Sequence, residues 1–293
     1  MSEEDVLADF KITGDGMRDI IRRQISDIEK CLDLLSRRRL GEITLPQGDP
    51  AVFYVIATMI HMIGISGESV LKLTTEADLG AKDAYPITRA IIEGTVNVCY
   101  IMAKGRETAE KAMRHAEVKA YRDLKRHWDA GGVSITITSG EVLPPDEIQR
   151  LEVLAEEFTT RKGRDIDWTD DNLRQKIDAI GDVFIYQSVD PLNHAAFAIY
   201  RSSSEVIHGS YYGALFFWGL KLTNQDEPFS EHDAVQLMHE HRNNVLMAVA
   251  LSYSSLLACF GDYIGALELE RAAMADLERL GSLPMVQALK PLT

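Results

Sequence analysis

The sequence is poor in cysteine and proline, and each shortage excludes a class of protein. Three cysteines occur among the 293 residues, and Cys31, Cys99 and Cys259 are widely spaced and form no CxxC pair. Such spacing argues against a disulfide framework and against a zinc–thiolate site. The 9 prolines are few enough to favour helices over a loop-rich all-β fold. We therefore expect a largely helical protein in which each cysteine is a small buried apolar residue.

Positive charge is scarce as well, since 31 Lys and Arg stand against 45 Asp and Glu, for a formal net charge of −14. A broad basic surface for duplex DNA or anionic membranes is not expected, although a small local basic site stays open. The acidic N-terminus lacks the apolar core of a signal peptide, and polar residues such as Asn97 interrupt the longest apolar runs. We predict a cytoplasmic protein without membrane association.

Apolar residues recur at helical spacing along most of the chain. After Gly16, the segment MRDIIRRQISDIEKCLDLLSRRRL repeats them every three or four residues and predicts an amphipathic helix. Residues 1–14 are predicted to be a flexible acidic tail. Ser230 followed by Asp233 resembles a capping box and predicts the start of a long helix. With no repeat and no interdomain linker, residues 15–293 are predicted to form one all-α multi-helix bundle of seven to nine helices.

One segment departs from the helical pattern. Residues Val133–Thr138 alternate and are rich in β-branched side chains, so they predict either a short β-hairpin near residues 133–143 or an extended loop. The charged segment before them is predicted to be helical through Ala130. Further along, PLNHAAFAIYRSSSEVIHGSYYGALFFW is predicted to be the sixth main helix, with Gly209 and Gly213 inside it.

A polar stripe crosses the third predicted helix, ITRAIIEGTVNVCYIMAKG. Arg89, Glu93, Asn97 and Tyr100 follow one another at intervals of four, four and three residues, which places them on roughly one face. Their neighbours are apolar, so part of the stripe is expected to be buried, and a buried Arg or Glu must be paired. The stripe is either a structural network that fixes helix register or part of a functional site.

A second polar group lies on the sixth predicted helix. Arg201 and His208 are seven residues apart, about two helical turns, and Ser204 and Glu205 lie between them. A histidine can exchange a proton near neutral pH, and an arginine can clamp a phosphate. Without a bound metal, the pair suits phosphodiester transfer in which a ribose 2′-hydroxyl attacks its own phosphate. Glu205 and His208 also form a Glu-x-x-His pair, but the sequence lacks the second copy that a di-iron site needs.

No glycine-rich phosphate loop, serine elbow or HExxH motif is present, so no metal or cofactor is predicted.

Three of these segments together resemble an uncharacterised bacterial all-helical family, one of the domains of unknown function. The segments are ITRAIIEGTVNVCYI, DWTDDNLRQKIDAIG and AIYRSSSEVIHGSYYG, and the resemblance spans about residues 50 to 220. That family carries an R-x3-E-x3-N-x2-Y stripe, a Trp-led linker helix and a Tyr-Arg-x2-Ser-x3-His-Gly signature. The matching positions are Arg89, Glu93, Asn97, Tyr100, Trp168, Tyr200, Arg201, Ser204, His208 and Gly209.

The arginine and histidine also resemble the signature of the HEPN superfamily (higher eukaryotes and prokaryotes nucleotide-binding). There an Arg and a His on one helix are separated by four to six residues. Active members are metal-independent ribonucleases, frequently toxins or antiphage effectors, with a site composed across a dimer. The resemblance implies that Arg201 holds the scissile phosphate and that His208 is the general acid or base. The other roles it implies are orientation for Glu93 and Asn97, and substrate contact for Ser204, Arg89 and Tyr100.

Two functions follow from this resemblance as expectations. The first is a ribonuclease of toxin or defence type that acts on RNA, with an antitoxin or other protein partner. The second is a non-catalytic helical module that binds nucleotide, RNA or protein. A homodimer is expected in either case, because the aromatic stretch GSYYGALFFWG is suited to packing against a second copy, although it could equally be core.

Overall fold

The structure is a computed structural model that describes residues 3–45, 47–138, 140, 143–219 and 230–288. Within these ranges it contains eleven helices, more than the seven to nine predicted, and one β-hairpin. The predicted all-α class is confirmed, and of the two alternatives for Val133–Thr138 the hairpin is the one observed. In chain order the elements are α1 (Glu3–Arg39), α2 (Pro50–Leu73), α3 (Gly80–Lys104), α4 (Arg106–Asp123), β1 (Lys125–Ala130), β2 (Val133–Thr138), α5 (Pro145–Glu157), α6 (Leu173–Gly181), α7 (Tyr186–Ile207), α8 (Tyr211–Phe217), α9 (Glu231–Ile264), α10 (Leu267–Gly281) and α11 (Pro284–Ala288).

Helix α9 is the centre of the bundle. It packs against α1, α3, α7 and α10, and from Val245 to its end most side chains are apolar or small and buried, as expected of a helix segment that is covered all round. The predicted capping box is confirmed, because Ser230 and Asp233 each accept a hydrogen bond from the other's backbone N–H. The helix ends at Gly265, whose φ of 74° permits the left-handed turn that follows. Cys31, Cys99 and Cys259 are buried in the core, as predicted.

Two helices, α2 and α9, are long and apolar enough to cross a membrane by length and composition alone. Most of the apolar window of α9 is buried in the bundle, whereas less than half of the α2 window is. Core helices of soluble proteins pass the same test, so these helices are weak evidence for a membrane span.

The N-terminal segment is helical from Glu3, so the predicted tail and the predicted start after Gly16 are wrong for residues 3–14. Phe10 and Thr13 are buried and continue the apolar stripe of α1 toward the N-terminus. Gly14 lies where α1 meets α9, and a Cβ on it would stand 2.6 Å from Oδ1 of Asn243. Gly14 therefore allows close packing within a continuous helix rather than standing outside it.

The hairpin is confirmed, but it lies upstream of its predicted position. β1 and β2 pair antiparallel with Ala130 opposite Val133, so the hairpin spans residues 125–138 rather than 133–143. The fourth helix accordingly ends at Asp123 and not at Ala130. Gly131 and Gly132 both adopt positive φ, 59° and 79°, as a two-residue hairpin turn of the primed type requires. Of the predicted span, residues 139, 141 and 142 lie outside the described residues.

The sixth predicted helix is two helices. α7 ends at Ile207, His208 is its C-terminal cap, and α8 begins after Ser210. Gly209 has a φ of 60°, a conformation that favours glycine and turns the chain out of α7. The second predicted glycine, Gly213, is buried within α8, and only glycine fits there because a Cβ would stand 2.5 Å from the carbonyl oxygen of Glu205. The two glycines thus terminate one helix and fold the next back against it.

Candidate functional site

The outer face of α7 carries the predicted catalytic pair. Arg201 and His208 are both exposed, and Ser204 between them is half-buried. Among the residues that the structure describes, neither the Arg201 guanidinium nor the His208 imidazole makes a hydrogen bond or ion pair. Both groups are therefore open to solvent and available to a ligand.

The inner face of α7 holds this helix in place. Leu192, Ala195 and Ile199 recur at intervals of three and four residues and are fully buried against the core. Ser203 is buried as well, and its hydroxyl donates to the carbonyl oxygen of Tyr85 in α3 over 3.1 Å. Arg201 lies two residues from both Ile199 and Ser203, which places it on the opposite side of α7 from this buried stripe. Its side chain is therefore exposed.

The junction of α7 and α8 is stabilised by a serine and a glutamate. The hydroxyl of Ser210 donates to Glu205 Oε2 over 2.6 Å and accepts the backbone N–H of Gly213, which caps α8. A cavity of about 240 Å³ lies beside this junction, lined in part by Lys82, Glu205, Gly209 and Trp218. Glu205 is therefore engaged in fixing the end of α7, next to His208.

Phe197 lies on the same face of α7, one helical turn before Arg201, and is 92% exposed. Residues four apart on a helix have neighbouring side chains, with about 5–6 Å between their Cβ atoms. An apolar ring and an unpaired cation thus stand side by side on the surface. After the helix ends, Tyr211 and Tyr212 of α8 are exposed as well, whereas Leu215 and Phe217 of the same aromatic stretch are buried.

The first half of the α3 stripe is an internal network that joins α3 to α7. Arg89 donates from Nε to Glu93 Oε1 over 2.9 Å and from Nη2 to the Tyr200 hydroxyl over 3.1 Å. Its guanidinium carbon also lies 4.2 Å from the centre of the Tyr200 ring. Burial acts to lower the pKa of Arg89, but the hydrogen bond and charge of Glu93 outweigh it and leave that pKa raised. The Nε and Nη2 groups of Arg89 are therefore both bonded within the protein.

The second half of the stripe faces α6 and the segment before it. Lys176 donates from Nζ to Asn97 Oδ1 over 2.8 Å and lies 4.8 Å from the centre of the Trp168 ring. Tyr100 packs edge-on against the same ring and donates its hydroxyl to Asp171 Oδ2 over 2.7 Å. Burial lowers the pKa of Lys176 and raises that of Tyr100. These contacts lock the linker helix onto α3.

Among the described residues, the α3 stripe reaches α7 through Arg89 and Tyr200, next to the second polar group and not within it. Glu93 and Asn97, which were predicted to orient the catalytic pair, instead contact Arg89 and Lys176. Arg201 and His208 therefore lie at the surface. The α3 stripe instead forms a structural lock, which is the polar network that was the alternative to a functional site.

The sequence prediction missed Lys176 and Asp171 as partners of the stripe. A signal for Lys176 is present, because it lies three residues after Leu173 and four before Ile180, on the apolar face of a short helix. A lysine in that position is expected to reach a buried acceptor. The role of Asp171 carries no comparable signal, since it precedes the helix in an irregular segment.

No group of three or more His, Cys, Asp or Glu side chains within the described residues is arranged to hold a metal ion.

The comparisons with known proteins identify a family. A family model described as "Family of unknown function (DUF5677)" matches residues 54–227, more than half of the chain, and includes both polar stripes. No curated protein and no solved structure matches the chain.

Proposed function

The chain belongs to DUF5677, a family of unknown function, and we propose that this protein is a metal-independent ribonuclease whose substrate binds on the outer face of α7. The observation that carries the proposal is the state of Arg201, which is exposed and unpaired among the described residues of a chain with a net charge of −14. Because carboxylates outnumber cations in this chain, an arginine that pairs with no carboxylate is an exception, and it is available to bind an anion such as a phosphodiester.

The chemistry requires only this pair and the substrate. The ribose 2′-oxygen forms a bond to phosphorus, the bond from phosphorus to the 5′-oxygen breaks, and the 2′-hydroxyl proton ends on the leaving 5′-oxygen. His208 is the group that exchanges this proton, because an imidazole takes and gives protons near neutral pH. Arg201 binds the phosphate oxygens and stabilises the charge that develops on them. Ser204, half-buried between the two, is the additional hydroxyl contact.

Phe197 favours a single-stranded substrate. A ring that is 92% exposed beside an unpaired arginine matches the arrangement by which proteins bind unpaired nucleotides, with a base stacked on the ring and its phosphate on the cation. A duplex keeps its bases stacked on one another and offers none to such a ring. The substrate class proposed here is therefore single-stranded RNA.

A second candidate function is binding without cleavage. It is favoured by the engagement of Glu93 and Asn97 with Arg89 and Lys176, which leaves Arg201 and His208 without an orienting residue from α3. On this alternative, the same surface binds RNA, a nucleotide or a protein partner. A toxin or antiphage role, with an antitoxin that covers the α7 face, belongs to the first function only.

The experiment that separates these functions compares Arg201→Ala and His208→Ala with matched controls. Arg174→Ala and His61→Ala remove the same side chains from exposed positions on α6 and α2. Cleavage of single-stranded RNA is measured in the presence of a chelator, and binding is measured by fluorescence anisotropy. We expect Arg201→Ala to weaken both, His208→Ala to abolish cleavage alone, and the controls to resemble the parent protein.

Three other outcomes are decisive. Undiminished cleavage by His208→Ala contradicts the proposed mechanism, and cleavage that stops on chelation contradicts its metal independence. Binding that depends on Arg201, with no cleavage by the parent protein, selects the binding module. For the toxin role, expression of the parent protein should arrest growth and expression of His208→Ala should not.

A further inference from the structure

A basic turn stands out on the surface between α5 and α6. The segment Thr159–Asp165 reads TTRKGRD, with three cations and a single carboxylate in seven residues of a chain that has more acids than bases. The side chains of Arg161, Lys162 and Arg164 are all exposed. Among the described residues, none of the three side chains makes a hydrogen bond or an ion pair.

The turn is held in one conformation by its own backbone. Gly163 N–H donates to the carbonyl oxygen of Thr160 over 2.8 Å, and Thr160 N–H donates to that of Arg164 over 2.7 Å. The Thr160 hydroxyl accepts the Arg164 N–H over 2.9 Å, and Gly163 supplies the φ of 73° that the turn requires. Three cations are thus presented from a fixed base, which lowers the entropic cost of binding a ligand.

The one carboxylate of the turn is already neutralised from α4. Asp165 forms ion pairs with Arg122 over 2.8 Å and with Lys119 over 3.5 Å. Arg122 also donates to the Thr159 hydroxyl over 2.7 Å, which fastens the base of the turn to the helix. Asp165 is thus shared between Arg122 and Lys119, and the three cations on the turn have no ion-pair partner among the described residues.

We infer that this turn binds the phosphate backbone of the RNA, at a place separate from Arg201 and His208. The inference rests on the proposed function for the identity of the ligand. Clustered, uncompensated cations on a rigid base bind phosphates through charge and carry no sequence information. The turn consequently supplies affinity and not selectivity, and it confines the long-range attraction of an acidic protein for RNA to one part of its surface.

The test measures RNA affinity against salt concentration. The parent is the His208→Ala protein, which prevents cleavage, and the variant adds Arg161→Gln, Lys162→Gln and Arg164→Gln. For single strands, each phosphate contact contributes about 0.7 to the slope of log affinity against log salt, so loss of three contacts lowers the slope by about 2. A charge-retaining variant, Arg161→Lys with Arg164→Lys, should keep the parent slope.

A matched control neutralises three exposed cations of α1, namely Arg22, Lys30 and Arg37, each of which pairs with a carboxylate of its own region. The control should leave the slope unchanged. The thermal midpoint of the turn variant should equal that of the parent, because its three cations have no protein partner to lose.

The outcomes separate this inference from the proposed function. An unchanged slope in the turn variant, together with weaker binding on Arg201→Ala, overturns the inference and leaves the proposed function intact. A reduced slope with no effect of Arg201→Ala supports the turn and contradicts the α7 site. Binding of phosphatidylserine vesicles through the turn, with no RNA binding, overturns the inference in favour of a membrane surface.

Discussion

Replacing Arg89 by methionine tests whether the α3 stripe is a structural lock or part of the reaction. Methionine keeps the length and apolar body of the side chain but removes the charge and all its donors. The change deletes three contacts, namely the ion pair with Glu93 at 2.9 Å, the hydrogen bond to the Tyr200 hydroxyl at 3.1 Å and the cation–ring contact at 4.2 Å. Each is absent from the unfolded chain, so each contributes to the free energy of unfolding.

The expected loss follows from the exposure of these groups. The Arg89 side chain is 21% exposed and that of Glu93 is 40% exposed, so solvent screens the ion pair and its contribution is about 0.5 kcal/mol. The hydrogen bond to tyrosine contributes about 1 kcal/mol and the cation–ring contact about 0.5–1 kcal/mol. Arg89→Met should therefore lower the free energy of unfolding by about 2 kcal/mol, and Tyr200→Phe, which removes only the hydroxyl, by about 1 kcal/mol.

The assay is urea denaturation followed by circular dichroism, with RNA cleavage measured separately where every variant is folded. A structural lock predicts the stability losses above with cleavage close to that of the parent protein. The reasoning is refuted if Arg89→Met leaves the denaturation midpoint unchanged. It is equally refuted if Arg89→Met abolishes cleavage while the protein remains as stable as the parent, because Arg89 would then act on the substrate.

Three further predictions concern the surface, the packing and the pH dependence. Phe197→Ala should weaken binding of single-stranded RNA about tenfold, the effect of losing one stacked base, with an unchanged unfolding curve; equal affinity in an anisotropy titration would contradict the stacking role. Gly67→Ala should lower the free energy of unfolding by about 2 kcal/mol, because the added Cβ would overlap the Tyr253 hydroxyl. That hydroxyl donates to the carbonyl oxygen of Ile63 over 2.7 Å, and the overlap would disturb this hydrogen bond. A thermal midpoint equal to the parent's would show that α2 and α9 move apart at no cost. Burial lowers the pKa of His241, so below a pH of about 6.5 the unfolded chain binds a proton that the folded chain does not. The free energy of unfolding should therefore decrease as the pH falls, by up to about 1.4 kcal/mol per pH unit for this group. A denaturation midpoint that stays constant from pH 7 to pH 5 would exclude this contribution.

Helical periodicity was sufficient to predict the fold class, but not the two places where glycine mattered. The first helix was predicted to start after Gly16, yet Gly14 and Gly16 lie inside α1 and mark close approaches to Asn243 and Leu283, which are more than 200 residues away in the chain. At the hairpin, the charged segment before Gly131 has no alternation of its own, and its strand conformation depends on pairing with β2. In both cases long-range packing decided the conformation that local propensity left open.

The candidate site was predictable in its residues and not in its partners. Spacing correctly placed Arg89, Glu93 and Asn97 on one helix and Arg201 on another. The choice between lock and reactive site depended on Tyr200 and Lys176, which approach α3 from about 80 to 110 positions further along the chain. The break after His208 carried a local signal that helical periodicity does not use, because Gly209 takes a φ of 60° and ends α7.

A comparison of Arg89 with Arg201 separates a structural role from a functional one. Arg89 is engaged by Glu93 and Tyr200, so its removal must act first on folding, and any effect on activity should scale with lost stability. Arg201 is exposed and its side chain makes no hydrogen bond or ion pair with the described residues, so its removal should leave the free energy of unfolding within about 0.5 kcal/mol of the parent. The ratio of activity lost to stability lost is then small at Arg89 and large at Arg201. If both positions gave the same ratio, the distinction between a structural lock at Arg89 and a proposed phosphate site at Arg201 would be wrong, whatever the absolute activities.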